Sequence, residues 1–218
     1  MSKKKLIFVS TGRCGTTRMA EILRCFLPKE NFTIIHQVPG ARIANVLGNI
    51  MYYIGSIEWL NKLLYEFITK KYQQKNNYIC TDPLVAMIIP EKYLNDKNIL
   101  LVYVKRDNEG FSSSFCGYTR EKWKSFIGHN FVPFWQPGLW PLENFFSKNI
   151  DKKYEKINLL KENFFKKKYK DKSCGFLEVS MKDVFQTDFL EKLVYDFFRI
   201  KISIPKKVLS KKSNQTRD

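Results

Sequence analysis

With 44% hydrophobic and 15% aromatic side chains in 218 residues, the chain can bury a substantial core, which excludes global disorder. Its 38 Lys and Arg against 21 Asp and Glu leave a net charge of +17. That excess suits an anionic ligand, nucleic acid or an acidic membrane surface and does not choose among them, and lysine runs such as Lys3–Lys5 and Lys166–Lys168 supply much of it.

Leu6-Ile7-Phe8-Val9 reads as a short buried strand that runs into a turn with Gly12 and Gly15. Thr16 and Thr17 then open a helical pattern, Met19, Ala20, Ile22, Leu23, Phe26 and Leu27, which Pro28 ends. A strand, a glycine turn and a helix start form an anion cradle, because backbone N–H groups converge on the loop and the helix N-terminus adds partial positive charge. Arg13 and the hydroxyls of Thr16 and Thr17 add side-chain donors, and Cys14 contributes its backbone N–H. The nucleotide-hydrolase form of such a loop has a lysine directly after the second glycine; here Thr16 stands there and the cation, Arg13, comes earlier.

Phe32–Ile35 is a second strand, closed by His36 and the turn chemistry of Pro39-Gly40. Ile57, Leu60, Leu63, Leu64 and Phe67 recur at helical spacing, with Asn61, Lys62 and Glu66 expected on other faces. Tyr72 to Asn77 reads as a loop, Tyr78–Cys80 as a third strand ending in Thr81-Asp82-Pro83. Ile99–Val104 is the clearest strand, continuous in apolar residues as a parallel strand covered on both faces should be. Lys105-Arg106-Asp107-Asn108 follows, with Asp107 or Asn108 expected to cap the next helix. Trp123 to Trp140 is rich in aromatics, Gly and Pro and reads as irregular or as short helices. Leu142 to Lys170 reads as helix, Phe176–Ser180 as the last strand, and Leu190, Leu193, Val194 and Phe197 as a final helix before a polar, basic tail from about 205. No repeat and no linker interrupts the chain, so the expectation for 1–218 is a single α/β domain with a mainly parallel sheet flanked by helices.

Cysteines at 14, 25, 80, 116 and 174 show no C-x-x-C spacing, and with two histidines a zinc site is not expected. No signal peptide and no membrane span is read: the most apolar region, Val46 to Ile68, is broken by Asn49, Glu58, Asn61, Lys62 and Glu66. The scattered cysteines fit a reducing compartment, and cytoplasmic is the expected location.

The strand followed by Gly12-Arg13-Cys14-Gly15-Thr16-Thr17 resembles the 5′-phosphosulfate loop of the sulfotransferase family. Arg106 at a strand end with Ser114 eight residues on resembles that family's 3′-phosphate site, in the right order along the chain. Leu177 to Phe185, with the helix after it, is similar to a further family region, and Val208 to Asn214 looks like the basic loop that closes over the nucleotide. The resemblance implies a P-loop-like α/β domain that uses 3′-phosphoadenosine 5′-phosphosulfate as sulfonate donor, without a metal, and releases adenosine 3′,5′-bisphosphate. It implies that Gly12, Arg13, Cys14, Gly15, Thr16 and Thr17 hold the 5′ end, Arg106 and Ser114 the 3′-phosphate, and Lys211 and Lys212 the closing loop. Arg13 takes the place of the family's catalytic cation, where charge grows on the leaving group. Arginine rather than lysine there is similar to the carbohydrate- and protein-tyrosine-directed members. Arg18 stands where many cytosolic members stack a tryptophan on the adenine.

Transfer to a hydroxyl needs a proton acceptor. His36 is the first candidate, since an unperturbed histidine changes charge near neutrality, and Asp82 is the second. His129 reads as an acceptor contact or a loop residue. Trp123, Trp135, Trp140, Phe131 and Phe134 offer flat faces for a sugar or a lipid, or else form a lid or core cluster. The acceptor is expected to be a small molecule or glycan hydroxyl or amine, a carbohydrate being favoured, and no specific nucleic-acid partner is expected. Two other readings stay open: a small-molecule kinase with an atypical loop, and a non-enzymatic basic nucleic-acid binder.

Overall fold

The computed structural model describes residues 3–55, 58–73, 77–121, 127, 132, 134–136, 138–140, 150–172, 174–186 and 188–210. Five strands, β1 (Lys5–Ser10), β2 (Phe32–Ile35), β3 (Asn77–Cys80), β4 (Ile99–Lys105) and β5 (Gly175–Ser180), form one sheet in the order β2-β3-β1-β4-β5. Every pairing is parallel, and β1 lies between β3 and β4. The helices are α1 (Thr16–Phe26), α2 (Ala41–Ile54), α3 (Glu58–Gln73), α4 (Glu91–Leu94), α5 (Asn108–Glu121), α6 (Ile150–Tyr169), α7 (Met181–Gln186), α8 (Phe189–Phe198) and α9 (Lys206–Ser210), with a 3₁₀ turn over Pro83–Ile88.

Side chains alternate across β1, which explains its unbroken apolar run. Ile7 and Val9 pack on one face with residues of α2, α3, the 3₁₀ turn and α6. Leu6 and Phe8 pack on the other with α1, Val184 of α7, and α8. A strand buried on both faces has no polar side to show, and the result is a three-layer α/β/α domain of P-loop-like architecture. Asp107 caps α5, accepting from Gly110 N–H at 2.6 Å through Oδ1. Among the described residues, no helix is long and apolar enough to cross a membrane.

Three sequence readings change. Helical pattern continues through Tyr72 to Gln73, and Lys206–Ser210 of the tail forms a short helix. On α3 the apolar positions divide: Leu60 and Leu64 pack on the core while Leu63 and Phe67 face out at 58% and 84% exposure, and Asn61 turns inward instead. Sequence periodicity marks a stripe, but the helix has rotated Tyr65, Ile68 and Asn61 to the inside.

The aromatic stretch before residue 141 is attached to α2 by two buried asparagines one turn apart. Asn45 donates through Nδ2 to the carbonyls of Phe134 (2.8 Å) and Gln136 (2.7 Å) and accepts from Gly138 N–H at 2.9 Å. Asn49 donates to Gly138 O at 3.0 Å and accepts from Trp140 N–H at 2.7 Å. These amides take over the backbone partners that an irregular segment lacks. Trp140 is thereby held in the core, at 1% exposure. Asn49→Ala should leave a carbonyl and an N–H unpaired in the interior and lower unfolding free energy by about 2–4 kcal/mol in urea titrations; a loss under about 0.5 kcal/mol would refute the role given to this side chain.

Candidate functional site

The chain leaves β1 toward β2 on one side and leaves β4 toward β5 on the other, so the crevice at the carboxyl ends of β1 and β4 is the topological switch point of the sheet. Pairing of Ser10 with Val104 brings the two strands to this edge in step. The loop after β1 turns through Gly12 (φ 96°), Arg13 (φ 56°) and Gly15 (φ 71°) before α1 begins at Thr16. Gly15 has a second reason to lack a side chain: a Cβ there would meet the Phe185 ring at 2.6 Å. As N-cap of α1 it offers no side-chain acceptor, and the first turn carries no acidic residue. The first N–H groups of the helix thus have neither an intrahelical nor a cap acceptor.

A residue just past the end of β4 and one from the middle of α5 come onto this loop. A guanidinium N–H of Arg106 donates to the carbonyl of Arg13, and Arg13 Nε donates to Ser114 Oγ at 3.2 Å. Arg13, Arg106 and Ser114, expected from the sequence to share a site, are brought together. Arg106 meets no carboxylate at ion-pair distance among the described residues.

Behind them stands Asn158 of α6, which sequence reading missed. At 1% exposure, its Oδ1 accepts from Thr11 Oγ1 at 2.7 Å, while Nδ2 donates to Arg106 O at 3.1 Å and to Asn108 Oδ1 at 2.8 Å. One helical turn on, Lys161 is fully buried and donates to Gln136 Oε1 at 3.2 Å; burial pulls its ammonium down to about 7, partly offset by Cys14. A polar residue in a lysine-rich helical stretch reads as solvent-facing, and nothing local to either residue signals otherwise.

The remaining expected residues are placed as follows. Cys14 turns its thiol inward, donating to Gly12 O at 3.1 Å, and burial pushes it up to about 11. Its side chain belongs to the core, leaving only its backbone to the loop. Thr16 is buried and Thr17 is exposed. Arg18 is engaged elsewhere, bonding the carbonyl of Val208 on α9 and Glu21 at 3.4 Å, so its guanidinium ties down the C-terminal helix. Lys211, Lys212, Trp123, His129 and Phe131 lie outside the described residues. Trp135 is half-buried beneath the guanidinium of Arg42, 3.9 Å from its ring centre.

His36 lies beside the loop, held at both ring nitrogens. Nδ1 is 3.1 Å from the carbonyl of Thr81 and 3.1 Å from its hydroxyl, and Nε2 is 2.9 Å from Thr17 Oγ1. A carbonyl can only accept, so Nδ1 carries the proton and Nε2 presents its lone pair to the Thr17 hydroxyl. Burial pulls the His36 pKa down, against the opposing charge of Asp82, which favours this neutral form. Asp82 itself is 1% exposed, and its oxygens accept from Val38 N–H at 2.8 Å and Leu84 N–H at 3.0 Å. A carboxylate committed to two backbone amides shapes the turns around His36 and is poorly placed to take a proton from a substrate.

Among the described residues no group of three His, Cys, Asp or Glu side chains could hold a metal ion. In comparisons with protein-family models and with curated proteins, nothing matches the chain.

The depressed His36 pKa has a stability consequence. Between the ordinary value of 6.5 and the lower folded value the unfolded chain binds more protons, so stability from this residue is lost as pH falls below about 6.5. Urea midpoints at pH 7.5 and pH 5.5 should therefore differ more for the wild type than for His36→Gln; equal differences would show that His36 titrates alike in both states.

Proposed function

We propose that the chain is a sulfotransferase that moves a sulfonate group from 3′-phosphoadenosine 5′-phosphosulfate to an acceptor hydroxyl or amine. The observation that carries this reading is the meeting of Arg106 and Ser114 with Arg13 at the switch-point loop, across 93 and 101 residues of chain. An arginine fork and a hydroxyl beside an anion cradle suit a nucleotide with phosphate at both ends. The residues fit the donor in a further respect: α1 starts with no acidic residue and no side-chain cap, as binding an anion there requires.

The donor supplies an activated sulfonate and a stable phosphate leaving group. The Gly15, Thr16 and Thr17 end of the loop binds the 5′-phosphate side, and Arg13 stabilises charge developing on the leaving oxygen. Arg106 and Ser114 recognise the 3′-phosphate, the group that separates this nucleotide from ATP. His36 Nε2 accepts the proton of the acceptor as the new bond to sulfur forms. Thr17 has a single hydroxyl proton, which it gives to His36 Nε2. Turning that proton to a bound phosphate releases the His36 lone pair for the acceptor.

Isothermal titration with adenosine 3′,5′-bisphosphate should show micromolar binding, weakened by Arg106→Ala through loss of charged contacts of about 1.5–3 kcal/mol, roughly tenfold or more. No binding to the wild type, or preferential binding of magnesium-ATP, would overturn the reading in favour of a kinase. Steep salt dependence on any polynucleotide, indifferent to Arg106, would favour a nucleic-acid binder. With an acceptor found by screening transfer of radiolabelled sulfonate to sugars and phenols, His36→Ala should keep bisphosphate affinity and lose about a hundredfold or more in turnover. Unchanged turnover would place the base elsewhere.

A further inference from the structure

A cleft of about 830 Å³ lies between α2, α3 and α6 and shares no residue with the loop site. Its volume is that of a small-molecule pocket. Met51, Met87, Leu139 and Leu160 line it as an apolar trough, while Lys167 and Lys168 of α6 lie along it. Tyr52 and Phe164 meet edge-to-face at 5.3 Å on its wall.

Two features say what such a trough would hold. Lys168 is half-buried, and Nζ gives one hydrogen bond, to Met87 O at 2.6 Å, beside the rings of Phe164 and Tyr169. It meets no carboxylate at ion-pair distance among the described residues, although an ammonium has three donors to place. Burial pulls it down to about 8 against the opposing charges of Glu58 and Glu91, which also line the cleft, and an anion directly at Nζ would raise it further. Lys167 is exposed and likewise makes no ion pair among those residues, whereas Lys172 is already bonded to Glu91 at 3.3 Å. Asn61, 7% exposed, also lines the cleft, and its Oδ1 has no hydrogen-bond partner among the described residues.

We propose that this cleft binds a single-chain amphiphile with an anionic head group, its chain along Met51, Met87 and Leu139 and its head at Lys167 and Lys168. The site is independent of the sulfotransferase reading: the trough supplies area for the chain, and two ammonium groups select the head. A neutral alcohol of the same length gains the first contribution and lacks the second.

The test is isothermal titration of the full chain with decanoate, n-decanol and inorganic phosphate. Decanoate should bind in the micromolar range, decanol roughly tenfold more weakly, and phosphate alone weaker still. Lys167→Glu, on an exposed position, should weaken decanoate by roughly tenfold and leave decanol unchanged. Leu160→Trp, which fills the trough, should weaken both, its fold being checked by circular dichroism. If that variant does not fold, the Lys167→Glu comparison decides alone. Absence of decanoate binding, equal binding of decanol, or indifference to Lys167→Glu would each overturn the site. Bisphosphate binding at the loop is expected to be unaffected by Lys167→Glu, so failure of one site does not imply failure of the other.

Discussion

The amide of Asn158 holds the switch-point edge together. Its Oδ1 accepts a hydrogen bond from Thr11, just past the end of β1, and its Nδ2 donates to the carbonyl of Arg106 and to Asn108, just past the end of β4. The bond to Thr11 is buried, so it cannot be lost without leaving polar groups unsatisfied, while the bonds to Arg106 and Asn108 are part-buried. Parallel pairing brings β1 and β4 to the edge in register, and Asn158 fixes what happens immediately beyond it. At this edge a guanidinium N–H of Arg106 reaches the carbonyl of Arg13, and Arg13, at φ 56°, donates through Nε to Ser114. The placing of the loop, Arg106 and Asn108 at this edge thus involves a side chain of α6, far along the chain.

Charge is distributed unevenly over this surface, and the distribution carries more meaning than the net value. At the end of β4, Lys105 lies 2.5 Å from Glu178, and Lys166 lies 2.7 Å from Glu162, in a half-exposed network of alternating signs. Such pairs contribute little to stability, but they cancel field locally. At the loop, Arg106 bonds the carbonyl of Arg13, and the helix that begins at Thr16 has no acidic residue in its first turn. The loop thus keeps an arginine with no ion-pair partner among the described residues beside backbone N–H groups, an arrangement on which the proposed function draws.

The legible parts of this molecule are those with local causes. A parallel strand covered on both faces must be apolar throughout, so β1 and β4 declare themselves, and a glycine turn between a strand and a helix declares its loop. Arg106 and Ser114 could be paired with Arg13 because their order and spacing resemble the phosphate site of a known family. Asn158, Asn45, Asn49 and Asn61 could not be found this way. In a helical pattern an asparagine is expected on the solvent face, and each is buried because of a partner, or a cleft, far along the chain. Conversely, Leu63 and Phe67 fit the apolar period of α3 and stay outside, because rotation of that helix is set by Tyr65 and Ile68 packing on the sheet.

The same distinction bears on His36. Its position at a strand end follows from sequence, but its tautomer follows from Thr81, 45 residues away, whose carbonyl can only accept. That carbonyl fixes the proton on Nδ1 and thereby turns Nε2 into an acceptor facing Thr17, a residue of the cradle. The cradle and the histidine consequently share one hydroxyl proton. A turn of the Thr17 hydroxyl away from the ring removes the only hydrogen bond made to Nε2 by the described residues, leaving a neutral imidazole with an unoccupied lone pair beside the loop. Before that, the lone pair is occupied and the histidine is a weaker base. Under the function proposed above, an anion that took up the Thr17 hydroxyl would free the His36 lone pair in the same step, because threonine and histidine are joined through that one hydroxyl.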